Sequence, residues 1–178
     1  MISISTKVAD YMHTRARTLE REKDPEKLKQ TTHVAVELEE DIRTRAQQGN
    51  GNFSWVSDFT PWAVSAAKGP SPLDYFIASL GMCHESHYSE ESSIMGIALQ
   101  SVSITIRAKF DIRPGIGYEE INYETRIQSP DSSEKIQDLV NRTEEACFVT
   151  NTLKRALPLR GKIYLNGIEL LTRKHEIK

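Results

Sequence analysis

The chain has 178 residues, 38% of them hydrophobic and 27% charged, with a formal net charge of -2, a composition typical of a globular domain with its own core. This balance of charges excludes the basic surface that neutralises nucleic-acid phosphates, and no apolar run approaches the roughly 20 residues that span a bilayer. Because the N-terminus also lacks the pattern of a secretory signal, we expect a cytoplasmic protein with no nucleic-acid partner and no membrane partner.

The N-terminal segment is predicted to be helical. Its apolar residues recur at helical spacing across residues 3–22, and a polar stretch containing Pro25 then breaks the pattern. We therefore predict an N-terminal helical extension and linker over residues 1–30, followed by the main domain over residues 31–178. The apolar stripe of this helix needs a surface to cover.

A β-hairpin is predicted next. Residues 33–42 ("HVAVELEEDI") alternate between apolar and polar side chains, the period of a half-buried strand. Residues 47–52 ("QQGNGN") are typical of a turn, and residues 53–58 ("FSWVSD") complete the hairpin as its second strand.

A long helix is predicted to follow, and it carries the first of the two cysteines. Ser71 suits the N-cap, Pro72 the first helical position, and Asp74 the third residue of a capping box. The helix is expected to end near Gly96, with Cys83 on its apolar face.

The second half repeats the strand and helix patterns. Residues 101–112 and 121–127 alternate without a fault and predict a second hairpin. Residues 130–149 predict a helix with Cys147 on its core-facing side, and residues 161–170 a closing strand or short hairpin. The order is helix, two strands, helix, two strands, helix, and one or two strands, which favours an antiparallel α+β fold over a parallel sheet.

The residues alone allow three interpretations of the cysteines. Both can be core side chains, since free cysteine is among the most buried residue types. Cys83 and His87 lie one helical turn apart, so with Cys147 they could hold zinc, although no paired metal-binding module supports this. Alternatively, Cys83 is a nucleophilic thiol and Cys147 its resolving partner, which requires the two helices to pack together. His84 and His87 are interpreted as a partly exposed, polar helix end, and the alternative is that they line the cavity beside Cys83 and raise its thiolate fraction when protonated.

Two cysteine motifs resemble those of the OsmC/Ohr family, named for osmotically inducible protein C and the organic hydroperoxide resistance proteins. Residues 69–83 ("GPSPLDYFIASLGMC") resemble the start of the central helix in its OsmC-like branch. Residues 146–153 ("ACFVTNTL") resemble the second-cysteine motif, with Phe148 in place of the usual proline. The resemblance covers roughly residues 32–170.

This resemblance implies an OsmC-like fold with antiparallel sheets packed on central helices in an intertwined homodimer. It also implies a thiol-dependent peroxidase that reduces organic hydroperoxides and is recycled by a dithiol reductant, without a cofactor or metal. Carried over by motif, Cys83 is the peroxidatic nucleophile and Cys147 the resolving thiol. An arginine stabilises the thiolate in this family, and Arg43 or Arg45 stands where it is expected.

One departure from the family pattern keeps a second function open. Leu73 occupies the position at which the hydroperoxide resistance branch has a glutamate that fixes the arginine. The carboxylate stands one residue later, at Asp74, which turns it by roughly 100° around the helix and makes it a helix-start acid. The alternative is therefore a non-catalytic OsmC-like protein that binds a small apolar ligand or a partner in the dimer cavity.

Overall fold

The computed structural model describes residues 2, 4–58, 68–155, 159–165 and 168–175. Within these residues, no helix is long and apolar enough to cross a membrane. The elements form a mixed arrangement of helices and antiparallel strands, as the sequence predicts.

The N-terminal helix is confirmed as α1 (Thr6–Arg21), which packs against the long central helix. Its Met12 is buried, and the Ile2 N–H donates to the Leu99 carbonyl at 3.1 Å. A short 3₁₀ turn over Pro25–Leu28 follows. Part of the apolar stripe of α1 therefore covers a surface of its own chain, while Tyr11 and Leu19 stay exposed.

The first sheet contains both predicted strands, but a third strand lies between them, so the prediction that those two strands pair with each other is wrong. Between β1 (Val34–Glu40) and β3 (Ser54–Ser57) lies β2 (Arg43–Gln48), which pairs antiparallel with both. The segment "RTRAQQ" has no apolar alternation, and its extended shape follows from ladder pairing on both sides. A tight turn with Asp41 at φ 52° joins it to β1.

The central helix α2 (Pro72–Met95) begins and ends as the sequence predicts. The Ser71 hydroxyl accepts the Asp74 N–H, and the Asp74 carboxylate accepts the Ser71 N–H at 3.0 Å, which completes the capping box. At the other end Gly96 adopts the left-handed conformation at φ 64° and stops the helix. The helix that carries Cys83 is therefore fixed at both ends by local residues.

The second hairpin, β4 (Ser101–Asp111) with β5 (Gly117–Gln128), is confirmed and packs against α2. Gly81 makes this close packing possible, because a Cβ there would lie 3.2 Å from the side chains of both Ile104 and Ile106. The sheet can thus approach the part of α2 that carries Cys83.

The third helix ends earlier than its apolar pattern suggests. Helix α3 (Ser133–Ala146) stops at Cys147, whose extended backbone separates it from a short helix, α4 (Phe148–Leu153). The prediction that Cys147 lies within one helix is wrong, although the residue is fully buried, as predicted. The break occurs because the Cys147 sulfur caps α4, accepting the Thr150 N–H at 3.4 Å.

The core and the closing hairpin complete the fold. Tyr88, Ile97, Leu99 and Leu139 form a buried cluster between α2, α3 and the second hairpin. The C-terminal strands, β6 (Leu159–Leu165) and β7 (Ile168–His175), pair antiparallel as a separate two-stranded sheet, which confirms the hairpin option. The main core therefore lies directly behind the segment of α2 that carries the cysteine.

Candidate active site

The two cysteines are neighbours in the folded chain. Cys83 is half-buried on α2, Cys147 is buried at the junction of α3 and α4, and both are free thiols. Cys83 lies close enough to Cys147 and to the backbone N–H groups of Phe148 and Val149 for all three to influence the pKa of its thiol. Packing of α2 against α3 and α4 thus joins the two cysteine motifs into one site.

Burial raises the pKa of the Cys83 thiol above its ordinary value. The N–H of Val149 lowers this pKa, and the neighbouring Cys147 raises it further. The N–H of Phe148 lowers it by a smaller amount. Because the balance favours the protonated form, Cys83 is mainly a thiol at neutral pH. A positive charge beside the sulfur would be needed to raise its thiolate fraction.

Both histidines are buried, so the interpretation of an exposed polar helix end is wrong. His84 is fully buried and His87 is only 6% exposed. They are covered because α3 and α4 pack on this part of α2, which a pattern along one helix does not reveal. His84 Nε2 lies 2.7 Å from Thr150 Oγ1, and the His87 ring lies 5.7 Å from that of Phe148.

Burial lowers the pKa of His84, although the negative charge of Glu144 works in the opposite direction. Coulombic interactions with His87 and Lys154 add to the lowering of the His84 pKa. The His84 ring is therefore neutral at pH 7, and it supplies no positive charge to the sulfur beside it.

No metal centre is formed by the described residues, which contain no group of three or more His, Cys, Asp or Glu side chains placed to hold a metal ion. His87 instead directs Nδ1 toward Glu90 Oε2, 3.0 Å away. The zinc interpretation of Cys83 and His87 is thus left without support in this part of the chain.

The two candidate arginines lie on β2, away from the main core. Arg43 Nε is 3.4 Å from Asp58 Oδ2 and its Nη1 is 3.1 Å from Glu40 Oε2, while Arg45 pairs with Glu39. The Arg43 side chain is 16% exposed and that of Arg45 48%. Within the described residues, the partners given for these arginines are carboxylates, and neither arginine is brought to a cysteine of its own chain.

Asp58 is a residue that the sequence reasoning missed. It is buried directly after β3, where its carboxylate accepts the Lys68 N–H at 3.1 Å as well as contacting Arg43. An acid that ends an apolar strand segment, as in "WVSD", was the available signal. By contrast, Asp74 is engaged in the capping box, as predicted.

An open apolar groove of about 440 Å³ has Thr150 in its wall. Its walls come from the first turns of α2, from β5 and from α4, and they include Phe76, Leu80, Tyr118, Tyr123 and Leu153. Lys154 and two glutamates lie at its edge. The groove offers an apolar surface next to the segment that holds Cys147.

A known protein family covers the part of the chain that carries both cysteines. The model of the OsmC-like protein family matches residues 65–161, a span that includes both cysteines. No curated protein matches the chain significantly.

Solved structures share the fold at low sequence identity. An OsmC-like protein from Mycoplasma pneumoniae is 23% identical with a TM-score of 0.62, over 70% of this chain and 88% of that one. An organic hydroperoxide resistance protein OsmC from Legionella pneumophila is 17% identical with a TM-score of 0.54, over 70% and 90%. An organic hydroperoxide resistance protein from Elizabethkingia anophelis is 14% identical with a TM-score of 0.55, over 71% of this chain and 89% of that one.

These similarities confirm the predicted OsmC-like fold. The family model spans more than half of the chain and includes both cysteine motifs that the sequence singled out. This chain therefore belongs to the OsmC-like protein family.

Proposed function

We propose that this chain is a thiol-dependent peroxidase that reduces organic hydroperoxides, with Cys83 as the nucleophile and Cys147 as the resolving thiol. The observation that carries the proposal is the proximity of the two free thiols, with the backbone N–H groups of Phe148 and Val149 also near Cys83. Hydroperoxide resistance proteins among the structural neighbours add support for a role in peroxide defence.

In the first step, the Cys83 thiolate attacks one oxygen of the hydroperoxide. A sulfur–oxygen bond forms, the oxygen–oxygen bond breaks, and the leaving alkoxide takes up the proton released by the thiol to become an alcohol. The sulfur loses two electrons and becomes a sulfenic acid, while the peroxide is reduced by two electrons. The N–H groups of Phe148 and Val149 stabilise the negative charge on sulfur before the attack.

In the second step, Cys147 attacks the oxidised sulfur of Cys83. A disulfide forms, hydroxide leaves, and the proton from the Cys147 thiol converts it to water. The Thr150 N–H donates to the Cys147 sulfur and helps to fix its position for this attack. An external dithiol then restores both cysteines by two exchanges and becomes a disulfide itself.

The proposed site also needs a guanidinium, because Cys83 in one chain has a raised pKa. We propose Arg43 for this role, since its side chain is less exposed than that of Arg45 and a buried acid, Asp58, holds it. Asp58 would then fix the arginine, the role of the family glutamate whose position is occupied here by Leu73. Arg43 would reach Cys83 from a second chain.

A homodimer is proposed for an independent reason as well. Strand β1 is exposed at every position, and one face of it carries the apolar residues Val34, Val36 and Leu38. An apolar sheet face of this kind is typical of a surface that another subunit covers. We propose a cytoplasmic location for this dimer. Residues 31–178 would form the catalytic domain and residues 1–30 an accessory extension.

The substrate is proposed to have an apolar body. The groove beside Thr150 is lined mainly by aliphatic and aromatic side chains, which favour alkyl or aryl groups over water. Hydrogen peroxide has no apolar part that would benefit from these contacts. We therefore expect organic hydroperoxides to react faster than hydrogen peroxide.

The proposal is tested by following consumption of cumene hydroperoxide in the presence of a dithiol. Wild type should turn over, and Cys83→Ser should lose activity. Cys147→Ser, treated with the hydroperoxide in the absence of the dithiol, should consume one equivalent and retain a sulfenic acid that dimedone labels. Unchanged turnover by Cys83→Ser would rule out this mechanism.

A non-catalytic function, the binding of a small apolar ligand or partner in the dimer cavity, is the second candidate. The raised pKa of Cys83 and the leucine at position 73 favour it. Titration of the thiols in the assembled protein discriminates the two functions. An ordinary or raised pKa together with no peroxide-driven disulfide would support the binder.

A further inference from the structure

We propose that His84 is a positioning residue that holds the first turn of α4 against Cys83, and thereby sets the geometry in which Cys147 closes the disulfide. The inference rests on the proposed function of the cysteine pair. It assigns a role to a residue adjacent to Cys83 that the mechanism above does not use.

The contacts form a continuous path between the two cysteine motifs. His84 follows Cys83 directly on α2, and its Nε2 lies 2.7 Å from Thr150 Oγ1 on α4. The backbone N–H of the same Thr150 donates to the Cys147 sulfur at 3.4 Å. One residue of α4 is therefore tied through its side chain to the Cys83 segment and through its backbone to the resolving thiol.

Helix α4 depends on such a tie. It has six residues, and a helix of this length has little stability of its own. It begins directly after the extended Cys147, so rotation of its first turn would move the Cys147 sulfur and the N–H groups of Phe148 and Val149 together. All three of these groups lie near Cys83 and influence the pKa of its thiol.

His84 is itself held rigidly enough to act as an anchor. It is fully buried, and its ring lies 5.1 Å from that of Tyr123 on β5. The Tyr123 hydroxyl donates to Glu144 of α3, which fixes the phenol ring on its other side. The imidazole is thus confined by neighbours from the second hairpin, while its Nε2 is directed at Thr150.

A neutral ring suits this role. Thr150 can donate its hydroxyl to an unprotonated Nε2 or accept from a protonated one, so either neutral tautomer makes the bond. His84 Nδ1 is buried and has no hydrogen-bond partner among the described residues. The bond to Thr150 is accordingly the one polar interaction in that part of the chain that fixes the ring's orientation.

Two pairs of variants separate the hydrogen bond from packing. His84→Leu and Thr150→Val remove the bond and keep most of the volume, whereas His84→Gln and Thr150→Ser keep a group that can make it. Disulfide closure is measured after a pulse of diamide, whose azo bond takes up the two electrons and two protons that the thiols lose. This oxidant reports on closure whether or not the protein reduces peroxides.

Closure in His84→Leu and Thr150→Val should slow about five- to tenfold, the factor that one net buried hydrogen bond provides. His84→Gln and Thr150→Ser should stay within about twofold of wild type, and the double variant should be no slower than the slower single variant. Thr150→Val is the smaller change and decides the matter if His84→Leu fails to fold.

The inference is overturned if Thr150→Val closes as fast as Thr150→Ser, if His84→Gln is as slow as His84→Leu, or if wild type does not close with diamide. If wild type closes with diamide but consumes no hydroperoxide, the proposed peroxidase function fails. The ranking of the four variants then still decides the role of His84.

Discussion

The core around α2 and the first sheet differ in what their own chain provides for them. A buried cluster lies between α2, α3 and the second hairpin, and it consists of Tyr88, Ile97, Leu99 and Leu139. In the first sheet, by contrast, β1 is exposed along its whole length, including Val36 at 61%. The cluster around α2 is buried within a single chain, although Phe76 and Met82 on the same helix stay 44% and 68% exposed, whereas β1 is exposed at every position.

This difference divides the proposed site between two kinds of support. The cysteines, His84 and Thr150 lie on elements that the closed core holds in place. The candidate arginine, Arg43, lies on the open sheet and contacts acids rather than sulfur. The pair of thiols can therefore be assembled by one chain, while the charge that would activate them is proposed to arrive by association.

The largest effect is expected inside the closed region. Leu139→Ala removes a fully buried side chain from the cluster and should lower the free energy of unfolding by about 2–5 kcal/mol. Val36→Ala removes apolar atoms from the open sheet and should change it by less than about 0.5 kcal/mol at low protein concentration. Urea denaturation measures both, and equal losses would mean that the two regions are not distinct.

Arg43→Gln tests whether an arginine on the first sheet activates the cysteines in the region around α2. It should lower kcat for cumene hydroperoxide about hundredfold, because a charged donor to the thiolate and the developing alkoxide is lost. Arg45→Gln is the matched control on the same strand and should stay within about threefold of wild type. Equal losses in both variants would contradict the choice of Arg43.

Leu38→Asp tests the association that the open face implies. A carboxylate on that face should weaken the dimer about tenfold to hundredfold, because it would be buried without a partner. Glu37→Gln changes the neighbouring residue, which points to the opposite face of the sheet, and should leave assembly unchanged. Sedimentation velocity over a range of concentrations measures both, and a wild-type monomer would end the dimer proposal.

The pH dependence of stability tests the buried histidine of the closed region. Because the pKa of His84 is lower in the folded state than the ordinary 6.5, the unfolded chain binds the proton first as the pH falls. Stability should therefore be full above about pH 6.5 and decline below it. His84→Gln should flatten this decline, whereas His13→Gln, at an exposed histidine on α1, should keep it. Urea denaturation between pH 5 and 8 compares the three proteins.

The smallest effect is expected where α1 meets the site. The Arg15 guanidinium lies 5.8 Å from the centre of the Phe148 ring, a cation–π contact beside Cys147. Arg15→Gln should lower the Tm by roughly 1–3 °C, the equivalent of about 0.5–1 kcal/mol. Arg17→Gln, at an exposed position on the same helix, is the control. Identical Tm values would show that the contact does not hold α1 in place.

The success of sequence reasoning depended on how local the determining interactions are. The start of α2 was predictable because Ser71 and Asp74 hydrogen-bond to each other within four residues and Pro72 suits the first helical position. The alternation of β4 and β5 was equally clear, since one face of each strand meets the core. Strand β2 was missed because its residues are mostly polar and its shape follows from pairing with two neighbours.

The candidate site was predictable only in part. Its cysteines were found because each lies within a recognisable motif. The contact of buried His84 with Thr150 was not found, because these residues are 66 positions apart. The contact of Arg43 with Asp58, 15 positions apart, was missed for the same reason. No pattern within one element reports on such pairs.

The sequence by itself determined where the helices and most strands begin, which residues alternate toward a core, and which two sulfur atoms belong to family motifs. Only the tertiary structure decided that these sulfurs are neighbours, that α3 breaks at Cys147, and that a neutral histidine ties α4 to α2. The physical reason is range. Caps and periodicity act over a few residues of one segment, whereas burial and thiol pKa depend on which separate segments pack against each other.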